Sequence, residues 1–192
     1  SNCKSIAMEF AKTNRVLYIN IPLNRNVLRV EKDKPEVKRH LETMRGERDA
    51  LELIMPNLWN YYPRRIHESI NWIPSSQLFS IFNFFNNKRF SKDIEDIILR
   101  LEFKDYILFN DNDIFRGRWL KSFLKPSLYV YYCRDFLTSS GYFRKHGRRE
   151  EPLHIAVADL ALSNSTQLEQ YLKRFNSNSY YVGQGCNLQL FD

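Results

Sequence analysis

The stretch Leu128-Tyr-Val-Tyr-Tyr-Cys-Arg-Asp135 decides how the rest of the chain is read. An apolar and aromatic run without polar alternation gives way at its end to Arg134 and Asp135. Such a run fits a strand covered on both faces, as in parallel sheets. Its polar tip is placed where open α/β sheets bind ligands, at the carboxyl ends of the strands. The same design recurs on either side. Tyr106-Ile-Leu-Phe109 runs into Asn110-Asp111-Asn112-Asp113, Leu160-Ala-Leu162 into Ser163-Asn164-Ser165, and Tyr180-Tyr-Val182 into Gly183-Gln184-Gly185. Helical patterns fill the gaps. A short helix is predicted within Arg116–Leu124, and another over Glu150–Val157 with Glu150, Glu151 and Pro152 in its first turn. Leu168, Tyr171, Leu172 and Phe175 mark a third, opened by a capping box at Thr166 and Glu169.

Toward the amino terminus the alternation continues. Ser1–Lys12 reads as a helix, Arg15–Asn20 as a strand, Pro35–Arg45 as a helix and Leu51–Met55 as a strand. Asn57–Ile73 has aromatic anchors but little periodicity and reads as an excursion. Leu78, Ile81, Phe82 and Phe85 follow a helical spacing after Pro74-Ser75, and Ser91 is placed to cap a separate helix carrying Ile94, Ile97, Ile98 and Leu101. The fold class is therefore α/β with a mostly parallel sheet and helices on both faces.

Composition sets outer bounds. The chain has 192 residues, 29 Lys and Arg against 22 Asp and Glu, and a formal net charge of +7. Hydrophobic residues at 43% and charged residues at 27% exclude wholesale disorder. Cys3, Cys133 and Cys186 are too widely spaced for a disulfide framework or a CxxC metal clamp, which points to a reducing cytoplasm. Ser1-Asn2 leads straight into a helical pattern, without a basic-then-apolar leader, as expected of a fragment excised from a longer chain. Charge is uneven. Lys104–Arg149 holds 10 basic and 4 acidic residues, a one-signed field suited to anions. Arg25–Asp49, with 8 basic and 6 acidic residues, reads as a solvated face.

Familiar catalytic motifs are missing. There is no P-loop, no GxGxxG and no HExxH, and the four histidines are scattered. His154, inside a helical pattern, reads as structural. Cys133 stands beside Arg134, which would favour its thiolate, but no sequence pattern supplies a base. Asp111-Asn-Asp113 after an apolar strand is similar to the D-x-D by which GT-A glycosyltransferases hold a divalent metal against a nucleotide-sugar diphosphate. The plainer reading is a polar loop whose Asp or Asn caps the next helix.

The last third carries a broader likeness. Leu128–Asp135, a Glu-bearing helix at Glu150–Val157, Ala158-Asp-Leu-Ala-Leu-Ser-Asn-Ser165, and Gly183-Gln-Gly-Cys-Asn-Leu-Gln-Leu-Phe191 occur in that order. This resembles the amino-terminal domain of GT-B glycosyltransferases of the family 1 and family 4 kind, with Gln184 and Asn187 departing from the usual Asn and Asp. The resemblance implies that 1–192 is a single Rossmann-like acceptor-binding domain. Its first strand would precede Ser1, and its carboxyl-terminal donor domain would lie beyond Asp192. It implies a nucleotide-sugar donor in the full enzyme, a glycan, polysaccharide or lipid-linked acceptor, and no cofactor or metal held by this domain alone. Asp135 is then the candidate catalytic base. Asn110, Asp111, Asp113, Cys133, Arg134, Ser163, Gln184 and Gly185 would line the cleft, with Ser1 and Asn2 a remnant of the donor-phosphate loop. The isolated domain is expected to be inactive.

Two other readings are open at this level. One is a basic α/β module that binds nucleic acid through 104–149, although its basic residues do not interleave with a recognition motif, so no nucleic acid is expected. The other is the metal-dependent GT-A transferase using Asp111 and Asp113. The aromatic stretch Trp72–Phe90, with Lys88 and Arg89, reads first as a buried helix and loop. Its second reading is a weak contact with the inner membrane surface, around a lipid-linked acceptor.

Overall fold

The computed structural model describes residues 2–183. They fall into two compact units: 2–69 with 92–97, and 70–91 with 98–183. The fold is α/β and Rossmann-like, as the alternation of elements predicts.

The first unit contains α1 (Asn2–Phe10), β1 (Val16–Ile19), α2 (Arg25–Val30), α3 (Pro35–Arg45), β2 (Leu51–Met55) and β3 (Leu58–Tyr61). Its three strands are ordered β1-β3-β2, with β1 parallel and β2 antiparallel to β3. The strand β3 corrects the expected excursion. Pro56 ends β2, and Asn57 takes a left-handed φ of 65°, a geometry asparagine tolerates, so the chain reverses at once into Leu58. Ala7 and Ala11 present small surfaces to Val16, Tyr18, Met55 and Leu58, which brings α1 close to the sheet. The Asn24 side chain caps the short α2 by accepting from the Val27 amide at 3.0 Å.

The second unit contains α4 (Ser76–Arg100, of which 92–97 group with the first unit), β4 (Ile107–Asp111), α5 (Leu120–Leu124), β5 (Leu128–Cys133), α6 (Gly141–Val157), β6 (Leu160–Ser163), α7 (Thr166–Lys173) and β7 (Ser179–Tyr181). Its four strands are all parallel and lie in chain order, β4-β5-β6-β7. Tyr129, Tyr131 and Cys133 of β5 alternate inward against Ile155, Ala158, Ala161 and Leu172 to form the main core.

Several element boundaries differ from expectation. Ser91 does not cap a second helix; α4 is continuous, and the Ser91 hydroxyl donates back to the Lys88 carbonyl at 2.9 Å. The Leu78 stripe of α4 faces outward, which corrects the buried-helix reading. The side packed inward carries Phe79, Asn83, Asn87 and Phe90. Helix α6 begins at Gly141, so Glu150, Glu151 and Pro152 sit in its middle rather than its first turn. The cap of α7 is Ser165, whose hydroxyl accepts from the Leu168 amide at 3.2 Å. Among the described residues no helix is long and apolar enough to cross a membrane.

Candidate functional site at the carboxyl edge of the parallel sheet

Strand register brings the predicted polar tips together. Asp111 is opposite Tyr132, Cys133 is opposite Ser163, and Ser163 is opposite Tyr181, so the strands end in line. Strand β4 runs further than expected and takes Asn110 and Asp111 with it. Asn112 then adopts a left-handed φ of 58°. Its Oδ1 accepts from the Arg134 amide at 3.1 Å, and its Nδ2 donates to the Asp135 carbonyl at 3.2 Å. One asparagine thereby ties the tip of β4 to the tip of β5. Sequence reasoning passed over this residue, although an Asn inside an Asn/Asp cluster is the type that tolerates such a turn.

Charge at these tips is largely satisfied internally. Arg134 donates through Nε to Asp111 at 2.5 Å, with both groups mostly buried. Asp113 accepts from the amides of Phe115 and Arg116 at 3.2 and 3.0 Å and pairs with the Arg116 guanidinium at 2.6 Å. Burial pushes the Asp113 carboxyl up, but Arg116 and its amide outweigh burial and hold it below the usual range. A metal gripped by Asp111 and Asp113 would have to displace two guanidinium groups. Among the described residues no three His, Cys, Asp or Glu side chains converge to hold one.

Two predicted cleft residues are enclosed instead. Cys133 is fully buried, and burial drives its thiol far above the ordinary range, opposite to what a nucleophile needs. The Ser163 hydroxyl is equally buried and donates to the Ser165 carbonyl at 3.0 Å. Neither lines an open surface. Asp135 is exposed at the end of β5. Ser1, Gln184, Gly185 and the exit segment to Phe191 lie outside the described residues, as does the side chain of Asn2.

One residue after Asp135 in the chain, Phe136 opens onto a groove that the sequence did not announce. It encloses about 430 Å³ between the 3-10 turn Leu137–Ser139, α6 and α7, with Phe136, Tyr171 and Phe175 on its apolar side. The Tyr171 ring meets Phe136 edge-on at 5.1 Å and Phe175 at 5.4 Å. Two exposed arginines, Arg144 and Arg148, also line it; Arg144 donates to the Ser139 carbonyl at 2.7 Å. Behind the groove, Glu151 is fully buried and accepts from the hydroxyls of Tyr131 and Tyr171, each at 2.9 Å. Burial raises the Glu151 carboxyl, and the two hydroxyls only partly offset it.

A second buried network supports the edge from below. His154, in α6, is reached by the Tyr129 hydroxyl at Nε2 and makes a longer contact with the Ile114 carbonyl through Nδ1 at 3.3 Å. That pattern sets the neutral tautomer with its proton on Nδ1. Desolvation lowers its pKa to about 4, against a smaller opposing pull from Asp113. Gly117 is confined by the same cluster. A Cβ there would come within 2.1 Å of Asn110 Nδ2 and 2.4 Å of His154 Cε1. His154 is thus structural, as expected of a lone histidine inside a helix.

The basic stretch is less available than its composition implies. Arg116, Arg118, Lys121 and Arg134 pair with Asp113, Glu150, Asp159 and Asp111. Four of its ten basic residues are therefore engaged within the fold rather than offered to a polyanion.

These features define a class: a Rossmann-like α/β unit with a polar carboxyl edge and an adjoining aromatic groove bearing two arginines. Comparison with known proteins found no matching family model and no matching curated protein.

Proposed function

We propose that this chain is the acceptor-side domain of a GT-B-type glycosyltransferase, working with a donor domain of the full enzyme that binds a nucleotide sugar. The observation that carries the reading is the aromatic and arginine-lined groove, whose lining begins at Phe136, one residue after the exposed Asp135. A pyranose offers a C–H face to aromatic rings and hydroxyls to polar groups at the rim, which is how small-ligand sites combine apolar area with a few orienting groups. Arg144 and Arg148 favour a glycan, polysaccharide or lipid-linked acceptor that carries negative charge.

In this reading Asp135 accepts the proton of the acceptor hydroxyl. That oxygen forms the new bond to the anomeric carbon as the bond to the nucleoside diphosphate breaks, and the diphosphate leaves with the bonding pair. Asn112 and the Asp111–Arg134 pair fix the backbone on which Asp135 stands. The resemblance of Ala158–Ser165 to the family motif supports the assignment, and Asp159 in that motif has a clear structural task. It accepts from the Tyr129 amide at 2.8 Å and pairs with Lys121, clamping the start of β5.

Calorimetric titration of neutral and uronate-bearing oligosaccharides into the chain tests the proposal. Saturable binding of the anionic saccharide is expected, weakened about tenfold by Arg148→Gln, the scale of one lost charge-assisted hydrogen bond. Binding insensitive to that substitution, or no saccharide binding, overturns it.

A further inference from the structure

Helix α4 carries an apolar stripe that the rest of the second unit leaves exposed. Leu78, Ile81, Phe82 and Phe85 are each 50–55% exposed, and Trp72, in the segment just before the helix, is 75% exposed. Scattered exposed hydrophobics are ordinary, but a contiguous helical stripe of large ones marks a surface that meets something.

This stripe is not the inner side of a loosely docked helix. The opposite side of α4 is pinned. Asn83 and Asn87 both donate to the Phe115 carbonyl, at 2.8 and 2.9 Å, and Phe79 stacks on His146 with ring centres 4.1 Å apart. The backbone at Trp72 is also held, because Lys145 donates to the carbonyls of Asn71 and Trp72 at 3.0 Å each. The apolar groups are therefore pre-placed in solvent.

We propose that this stripe docks on an anionic lipid bilayer. Charge along the helix identifies the occupant. Residues 76–91 contain no Asp or Glu, and the exposed face continues from Phe85 into Lys88 and Arg89. At a rise of about 1.5 Å per residue, the first apolar and the last apolar side chains span roughly 10 Å, and the two cations follow about 5 Å further on. That spacing lets apolar side chains enter the acyl boundary while Lys88 meets lipid phosphates. An indole at the edge of such a patch sits at headgroup level. The inference stands apart from the transferase reading, since the groove's ligand and the stripe's surface are read by separate experiments.

The test is co-sedimentation of the full chain with phosphatidylcholine vesicles, with and without phosphatidylglycerol, at low and high salt, alongside tryptophan emission. Binding to the anionic vesicles with a blue shift that Trp72→Phe removes is the expected result. Lys88→Glu should weaken that binding by about tenfold, given the usual contribution per basic residue at an anionic surface. The pair Phe82→Ser and Phe85→Ser should abolish it. Both variants change exposed side chains, so their melting should match the parent and separate lost docking from lost folding. No binding at low salt, binding indifferent to Phe82 and Phe85, or a concentration-dependent dimer that those serines dissolve would overturn the proposal.

Discussion

His154 shows how a residue that looks reactive can be locked by its surroundings. Its pKa of about 4 lies below the ordinary 6.5 because burial disfavours the cation. The sign of the consequence follows from linkage. Above about pH 6.5 the ring is neutral in both folded and unfolded chains and costs nothing. As pH falls toward 4 the unfolded chain takes up the proton and the folded chain resists, so stability is lost by about 3 kcal/mol across that window. His40 and His146, also lowered by burial, add in the same direction, whereas Glu151 and Asp93, raised by burial, oppose it. Urea unfolding at pH 7 and pH 5, compared between the parent and His154→Gln, isolates the one residue. The parent should lose about 2 kcal/mol more than the variant between those pH values; parallel losses would contradict the assignment. The sequence indicated that His154 is structural. It gave no sign of Gly117, whose lack of a side chain is required by neighbours on other elements, Asn110, Tyr129 and His154.

At the scale of elements, α6 and α4 show why pattern reading failed where it did. Helix α6 buries His146, Glu150, Glu151 and His154, residue types whose periodicity normally marks a solvent face. Glu-Glu-Pro then looks like a helix start, and only tertiary partners reveal a helix middle. The decisive partner is Arg118, which donates to fully buried Glu150 at 3.0 Å and stacks on Trp119 at 4.4 Å. Removing one member of such a pair leaves a buried charge without compensation. Arg118→Met should therefore cost about 3 kcal/mol in chemical denaturation, and adding Glu150→Leu should restore most of it. A double variant no more stable than the single one would show that the pair is not the source. Helix α4 erred in the opposite sense: its apolar stripe was legible, but not its direction. Asparagines held by the Phe115 carbonyl, rather than aliphatic burial, determine which side faces in. The strand β3 was missed for a third reason, because its four residues Leu58–Tyr61 are too short a run to show a period.

Across the whole molecule, the parallel sheet was the most legible part. Its strands lack alternation and end in polar tips, and both features follow from burial on two faces. The sequence placed Asp111, Arg134 and Asp135 at strand ends, and the register sets those strand ends side by side. The groove was not legible. Phe136, Arg148 and Tyr171 come from a turn and two helices, and only packing makes them neighbours. In the proposed function a saccharide binds at this edge. The most direct measurement is a nitrogen–proton correlation spectrum of the chain titrated with glucuronate and glucose 6-phosphate. Amide shifts should concentrate at residues 135–139, Arg144, Arg148, Tyr171 and Phe175, with the amino edge at Leu128, Leu160 and Ser179 unmoved. Shifts confined to that opposite edge, or no shifts with either sugar, would contradict it.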